Sequence, residues 1–276
     1  MIAESVAEIP KGNGGAENIS SRRRRVAAAG LPLLGLASIV ALWWLVTFLF
    51  RVEKFLLPSP LDVFNSFAEN SQLLLEQTVV TLLECVEGFL LAIAVAVPTA
   101  LIIVRSRIIE RIIYPLLLAL NAVPKIAIAP ILVVWMGFGS MPKVVMAFLL
   151  SLFPIVISTA SGMKSTPVEL VELLQSLGGT KWQEFAKIRI PYALPQIFVG
   201  LKVAISLAVI GAVIAEFVNS TAGLGYVIMQ SGANADTALA FAAMVPLAVM
   251  SIVLFYAVAA LESKMLPWAK SANSTA

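Results

Sequence analysis

The chain has 276 residues, of which 60% are hydrophobic and only 13% charged, about half the ~25% charged share of an average globular chain. So few charges cannot cover a soluble domain of this size, so the composition indicates a protein that crosses a membrane several times. Histidine is absent and Cys85 is the sole cysteine, which excludes His-based metal sites, Ser-His and Cys-His catalysis, and an intrachain disulfide framework.

Residues 1–30 are polar and end in the block Arg22 to Arg25; they are expected to form a disordered basic tail. A transmembrane domain is expected over 31–268, with 269–276 as a C-terminal tail. The first hydrophobic segment, Leu31–Phe50, has the ~20 residues needed to cross ~30 Å of hydrocarbon. It is too long for a typical signal-peptide core, carries Trp43 and Trp44, and is followed by no small-residue cleavage site, so it reads as a retained span. Apolar runs at 79–104, 112–136, 143–163, 192–217 and 239–261 predict five more spans. The expected fold is therefore all-α, with about six transmembrane helices. The third span, 112–136, contains Pro115, Pro124 and Pro130 and should be the most bent.

With the N-terminus inside, most of the basic residues fall on the cytoplasmic side: Lys11, Arg22 to Arg25, Arg105, Arg107, Arg111, Lys164, Lys181, Lys187, Arg189, Lys264 and Lys270. Only Arg51, Lys54 and Lys143 fall outside, and Lys125 and Lys202 lie within spans. The positive-inside rule thus puts both termini in the cytoplasm. No two-halves repeat of the kind common in secondary transporters is visible.

The segment Lys164–Pro191, between the fourth and fifth spans, is too polar to cross and is rich in helix signals. Thr166 as N-cap, Pro167 at the first helical position and Glu169 at N3 make a capping box. The helix should end at Leu177, before Gly178-Gly179. Thr180 with Gln183 forms a second box. The first helix, of about 11 residues, would be ~16 Å long, with Leu170, Leu173, Leu174 and Leu177 on one face. Such a hairpin serves either as a membrane-surface tie or as a docking element for a cytoplasmic motor.

The order Glu172-Leu-Leu, three residues, Gly178, nine residues, Ile188-Arg189-Ile190-Pro191 resembles the EAA loop of ABC-importer permeases. Two leucines replace the alanines and Ile190 replaces a leucine, all apolar for apolar. Residues 78–262 resemble the membrane subunits of nitrate/sulfonate/taurine-type importers, through Val123–Pro130, Val134–Gly139, Pro191–Pro195, Gly200–Lys202, Ala215-Glu216 and Gly223–Gly225. Permeases for thiamine precursors or riboflavin share much of this pattern.

The resemblance implies a type I importer permease in a bacterial inner membrane, without cofactor. It would work with two copies of a separate ABC ATPase, a second permease (a copy of itself or a sister chain) and an extracytoplasmic solute-binding protein. The solute would be a small anion of the nitrate, sulfonate or taurine kind, or a thiamine-precursor-like or riboflavin-like compound. It also implies coupling roles for Leu173, Leu174 and Leu177 against the ATPase, Glu172 as a polar contact or helix-stabilising charge, Gly178 in the turn, and Ile188 and Pro191 at the junction with span five. No phosphate-binding G-x-x-x-x-G-K-[ST] loop occurs, so this chain is expected to be neither an ATPase nor another enzyme.

Ionisable residues inside spans are functional candidates by default. Lys125, Glu216 and Glu87 are the candidates for pathway or gate; the alternative for Lys125 is pairing with a carboxylate in the bundle, and for Glu84 and Glu87 an interfacial or paired position. Lys202 is expected to snorkel to the interface, and capping is an equal alternative for Glu216. A self-contained secondary transporter or channel coupled through Lys125 and Glu87 is the competing function; the EAA-like loop argues against it.

Overall fold

The computed structural model describes residues 34–268; the tails expected at 1–30 and 269–276 lie outside the described residues. The chain divides after Leu61 into two units. The first holds α1 (Leu34–Leu49). Its Trp44 and Phe48 rings stack with centroids 5.6 Å apart, and the Thr47 hydroxyl donates back to the Trp44 carbonyl at 2.9 Å. The described part of this helix is about 24 Å long at 1.5 Å per residue, shorter than the ~30 Å hydrocarbon layer.

The second unit, from Asp62 on, takes in α2 (Pro60–Glu69) from its third residue, then α3 (Ser71–Arg105), α4 (Arg107–Ala122), a 3₁₀ turn (Lys125–Ile128), α5 (Ala129–Met136), α6 (Met141–Lys164), α7 (Val168–Ser176), α8 (Lys181–Glu184), a π turn (Phe185–Arg189), α9 (Ile190–Asn219), α10 (Leu224–Ala233) and α11 (Thr237–Met265). Among the described residues all regular structure is helical. Among the described residues, four helices are long and apolar enough to cross a membrane: α3, α6, the continuous run Lys181–Val218, and α11.

The span expected as one run over 112–136 is instead two helices, α4 and the 3₁₀–α5 pair, bent by 81°. The cause is Pro124. Its ring pushes Val123 out of the helical region, to φ −67° and ψ 129°, and it offers no N–H to carry the ladder across. Pro130 causes no break, because it falls in the first turn of α5, where a missing N–H has no carbonyl to satisfy. Pro98, Pro154, Pro195 and Pro246 lie inside helices that continue through them.

The core forms where α6 is held between α3 and α9, the helices with the most extensive mutual packing. Side chains there are small: Ala92, Ala96, Ala100, Ala147, Ala204, Ala208 and Ala212 are fully buried. Glycines bring the backbones still closer. A Cβ on Gly88 of α3 would stand 2.5 Å from Ala147 Cβ, and one on Gly211 of α9 would stand 2.7 Å from the Met146 carbonyl. Close approach through small residues is how helices gain packing energy where no hydrophobic drive separates them from lipid. The large apolar side chains, such as Val249, Ile252, Val253 and Tyr256 of α11, point outward instead.

Candidate functional site

The Lys164–Pro191 segment folds as the helix-turn-helix expected, with two differences. The first capping box does not form. The Thr166 hydroxyl donates back to the Met163 carbonyl at 3.0 Å, and α7 starts at Val168 after Pro167 with no side-chain cap. The four leucines also divide. Val171 is buried and Leu174 lies under the turn, where a Cβ on Gly179 would come within 2.4 Å of its Cγ. Leu170, Leu173 and Leu177 point out, as do Val168 and Trp182, with Leu177 and Trp182 each 76% exposed. Glu172 is exposed beside them.

The turn is fixed by hydrogen bonds. Gly179 N–H donates to the Leu174 carbonyl at 2.9 Å and Gly178 N–H to the Gln175 carbonyl at 3.0 Å, with Gly178 at φ +75°. This is a Schellman stop, in which the left-handed position costs a glycine nothing. The second capping box is present: Thr180 N–H donates to Gln183 Oε1 at 2.8 Å, and Gln183 N–H to Thr180 Oγ1 at 3.3 Å.

Pro191 was expected to mark the start of span five, but the helix runs through it from Lys181 to Val218. The π turn explains how. Ile190 N–H donates to the Phe185 carbonyl, one residue further back than in an α-helix, and the widened turn takes up the crowding and lost donor of Pro191. Ile188 is half-buried in this turn. Arg189 ties the turn down: its Nε is 2.6 Å from Glu184 Oε1, its Nη1 donates to the Met163 carbonyl at 3.3 Å, and its guanidinium lies 5.6 Å from the Phe185 ring centroid. Lys164 pairs with Glu110 of α4. The exposed leucines are thus mounted on a segment braced to the ends of α4 and α6 and continuous with α9.

Lys125 lies on the 3₁₀ turn, at the bend. Its ammonium donates to Asn121 Oδ1 at 2.8 Å and to the Asn121 carbonyl at 3.3 Å. Both residues line a cavity of about 520 Å³ with Phe153, Pro154, Ser158, Val203 and Leu207 among its walls. Lys202, expected to snorkel, is paired instead, 2.9 Å from Glu262 of α11.

The third feature is a buried charged cluster that holds the start of α10. Glu216 of α9 is 1% exposed. Its Oε1 accepts from the Thr81 hydroxyl at 2.8 Å and its Oε2 from Gly225 N–H at 2.6 Å. Gly223 N–H donates to Gln77 Oε1 at 2.6 Å and Leu224 N–H to Thr81 Oγ1 at 2.9 Å. Three first-turn N–H groups of α10, which have no partner in their own helix, are therefore capped by side chains from α3 and α9. Lys143 of α6 completes the cluster, 2.7 Å from Glu84 Oε1 and 3.1 Å from the Ala222 carbonyl. Glu216 is thus a capping residue for a neighbouring helix, and Glu84 is paired. Glu87 stays on an exposed face of α3 and joins neither cluster nor cavity.

Lys143 was expected at an outer loop and is instead buried. Gln77 and Thr81 were not singled out by the sequence reading. Their signal was there: Gln77, Thr81 and Glu84 are spaced i, i+4, i+7, which aligns them on one face of the helix.

A bundle of long apolar helices carrying a braced helix-turn-helix segment with exposed leucines is the architecture of a multi-pass membrane protein. The family model described as "Binding-protein-dependent transport system inner membrane component" matches residues 88–267, and the chain belongs to that family. It is the membrane-spanning permease subunit of an ATP-binding-cassette importer, a multi-pass membrane protein. It is 35% identical over 219 residues to the formylaminopyrimidine transport permease ThiX of Halalkalibacterium halodurans, covering 79% of this chain and 88% of that one. It is 34% identical over 254 residues to the riboflavin transport system permease RibX of Chloroflexus aurantiacus, covering 91% and 94%. Its fold matches a chain of the MetNI methionine ABC transporter with a TM-score of 0.64 at 16% identity, over 71% of this chain and 98% of that one. Neither fold nor family favours an ATPase-independent transporter.

Proposed function

We propose that a separate ABC ATPase docks on Lys164–Pro191, with Leu173 and Leu177 inserted into it and Glu172 at the rim, while Leu174 supports the turn from beneath. Two ATPases, a second copy of this chain and an extracytoplasmic solute-binding protein complete the importer. Both termini lie in the cytoplasm of a bacterial cell, on the same side as the docking segment. The solute is a small compound of the sulfonate or taurine kind, or of the thiamine-precursor or riboflavin kind. The observation that carries this reading is the pair of exposed leucines on a helix whose turn is fully hydrogen-bonded. Exposed apolar side chains on so rigid a mount suit a partner surface. Closure of the ATPases would move α7, and the continuous helix Lys181–Val218 would carry that motion into the bundle.

The test is co-purification. Leu173→Glu together with Leu177→Glu should lower recovery of the ATPase with the permease by tenfold or more, since a charge buried in an apolar contact costs about 1–3 kcal/mol or more. Undiminished recovery contradicts the docking site. Gly178→Asp tests the turn. A side chain at position 178 meets no atom within 4 Å, so the cost is conformational, about 1–2 kcal/mol for a left-handed residue. Uptake should fall in proportion to a distorted coupling helix or lost ATPase. Normal uptake with normal ATPase recovery would refute a mechanical role for this turn.

A further inference from the structure

The charged side chains inside the helical bundle come in two kinds. Lys143 and Lys202 each have a carboxylate within 3 Å, at 2.7 and 2.9 Å. Lys125 has none within ion-pair reach among the described residues; its partners are the two oxygens of Asn121. An ammonium at membrane depth is costly unless compensated, and one side-chain amide plus one carbonyl leaves part of its donor capacity unused, since it carries three donors and no acceptor.

The cavity beside it has the size of a small-molecule site. Its volume of about 520 Å³ falls within the ~300–1,000 Å³ of typical ligand pockets. Its walls are apolar, Leu150, Phe153, Val203 and Leu207 among them, and its polar groups are Lys125, Asn121 and Ser158. A mostly apolar chamber with a few convergent polar groups is what an organic solute with one polar end requires. Asn121, Lys125 and Ile126 at the bend form one wall of it, facing residues of α6 and α9.

We propose that Lys125 and Asn121 form a solute subsite in this cavity, which receives an oxygen acceptor of the passing solute, whether an anionic group or a carbonyl, and repels cations. This inference rests on the chain being an importer permease, but not on where the ATPase docks. The Lys125 ammonium donates to the solute's oxygen, Asn121 supplies its amide alongside, and the solute's carbon skeleton lies against Phe153 and Leu207.

The experiment uses the assembled importer carrying S158C, a near-isosteric change on the cavity wall; the parent protein is the control, because Cys85 is fully buried. Reaction of S158C with an anionic and with a cationic methanethiosulfonate reagent is timed, with and without K125Q. The ratio of anionic to cationic rate should drop about tenfold when K125Q is introduced, because a fixed charge in a low-dielectric cleft concentrates counter-ions by factors of this order. Intrinsic reagent reactivity cancels in that comparison. Millimolar butanesulfonate or uracil should slow the labelling, choline should not, and K125Q should abolish the protection. Protection by butanesulfonate identifies the anionic class and by uracil the carbonyl class. An unchanged rate ratio, no labelling by either reagent, protection by choline, protection that survives K125Q, or protection by none of the three overturns the proposal. ATPase recovery with the same preparations is read separately, so a failed docking site is not mistaken for a failed subsite.

Discussion

Lys143→Ala is expected to destabilise the permease by about 3–5 kcal/mol, the usual result of removing one member of a buried ion pair. The reason lies in the charge balance of the cluster. Glu84 and Glu216 are 4% and 1% exposed, and Lys143, itself buried, is the cation both of them face. Glu84 Oε2 is buried without a hydrogen-bond partner, so the carboxylate depends on its one ammonium contact at 2.7 Å. The Ala222 carbonyl would lose its donor as well. Thermal unfolding of the purified complex, followed alongside its yield, measures the effect. Adding Glu84→Gln to Lys143→Ala should recover part of the loss, because it removes the carboxylate left without a counter-charge; couplings of about 0.5–3 kcal/mol are usual for residues in direct contact. A single variant within ~0.5 kcal/mol of the parent would mean that Lys143 is not what keeps Glu84 buried.

Local signals were legible in the sequence because the chemistry that sets them is local. The Gly178-Gly179 stop and the Thr180/Gln183 box depend on residues within one turn of each other, and both formed. The Thr166 box failed because α7 starts one residue later than expected, with Pro167 rather than Thr166 at its N-cap, and the Thr166 hydroxyl turns back to donate to the Met163 carbonyl. Hydrophobic runs marked the long helices for the same local reason. Whether a proline breaks a helix was less readable: Pro124 does and Pro154 does not, although both lie in apolar runs. Least legible was the charged cluster, where every contact but that of Glu216 with Gly225 joins residues 59 to 146 apart in the chain. Lys143 looked like a loop residue because it opens a span. Only the packing of α3 and α9 against α6 turns it inward.

Gly223→Ala is expected to be the most damaging glycine-to-alanine change among the described residues. Gly223 has φ +111°, a backbone conformation that residues with a side chain rarely adopt, and a Cβ there would stand 2.0 Å from Glu216 Oε1. The carboxylate cannot retreat cheaply, because both of its oxygens are hydrogen-bonded, to Thr81 and to Gly225 N–H, and it is almost wholly buried. The added methyl must therefore displace a buried charge from its donors and strain the turn together, which puts the loss at about 4 kcal/mol or more, among the exceptional class of single substitutions. Gly232→Ala, in the same helix but with no atom within 4 Å of the added Cβ, should be neutral or stabilising by up to ~1 kcal/mol through helix propensity. Melting temperature and assembled yield of the two variants should differ sharply. Glu216→Ala combined with Gly223→Ala separates clash from strain. If displacement of the carboxylate dominates, the double variant should be no less stable than Gly223→Ala alone, because truncating Glu216 vacates the space the methyl needs. If the two losses simply add, the damage lies in the backbone of the turn, and Glu216 caps α10 without enforcing the glycine.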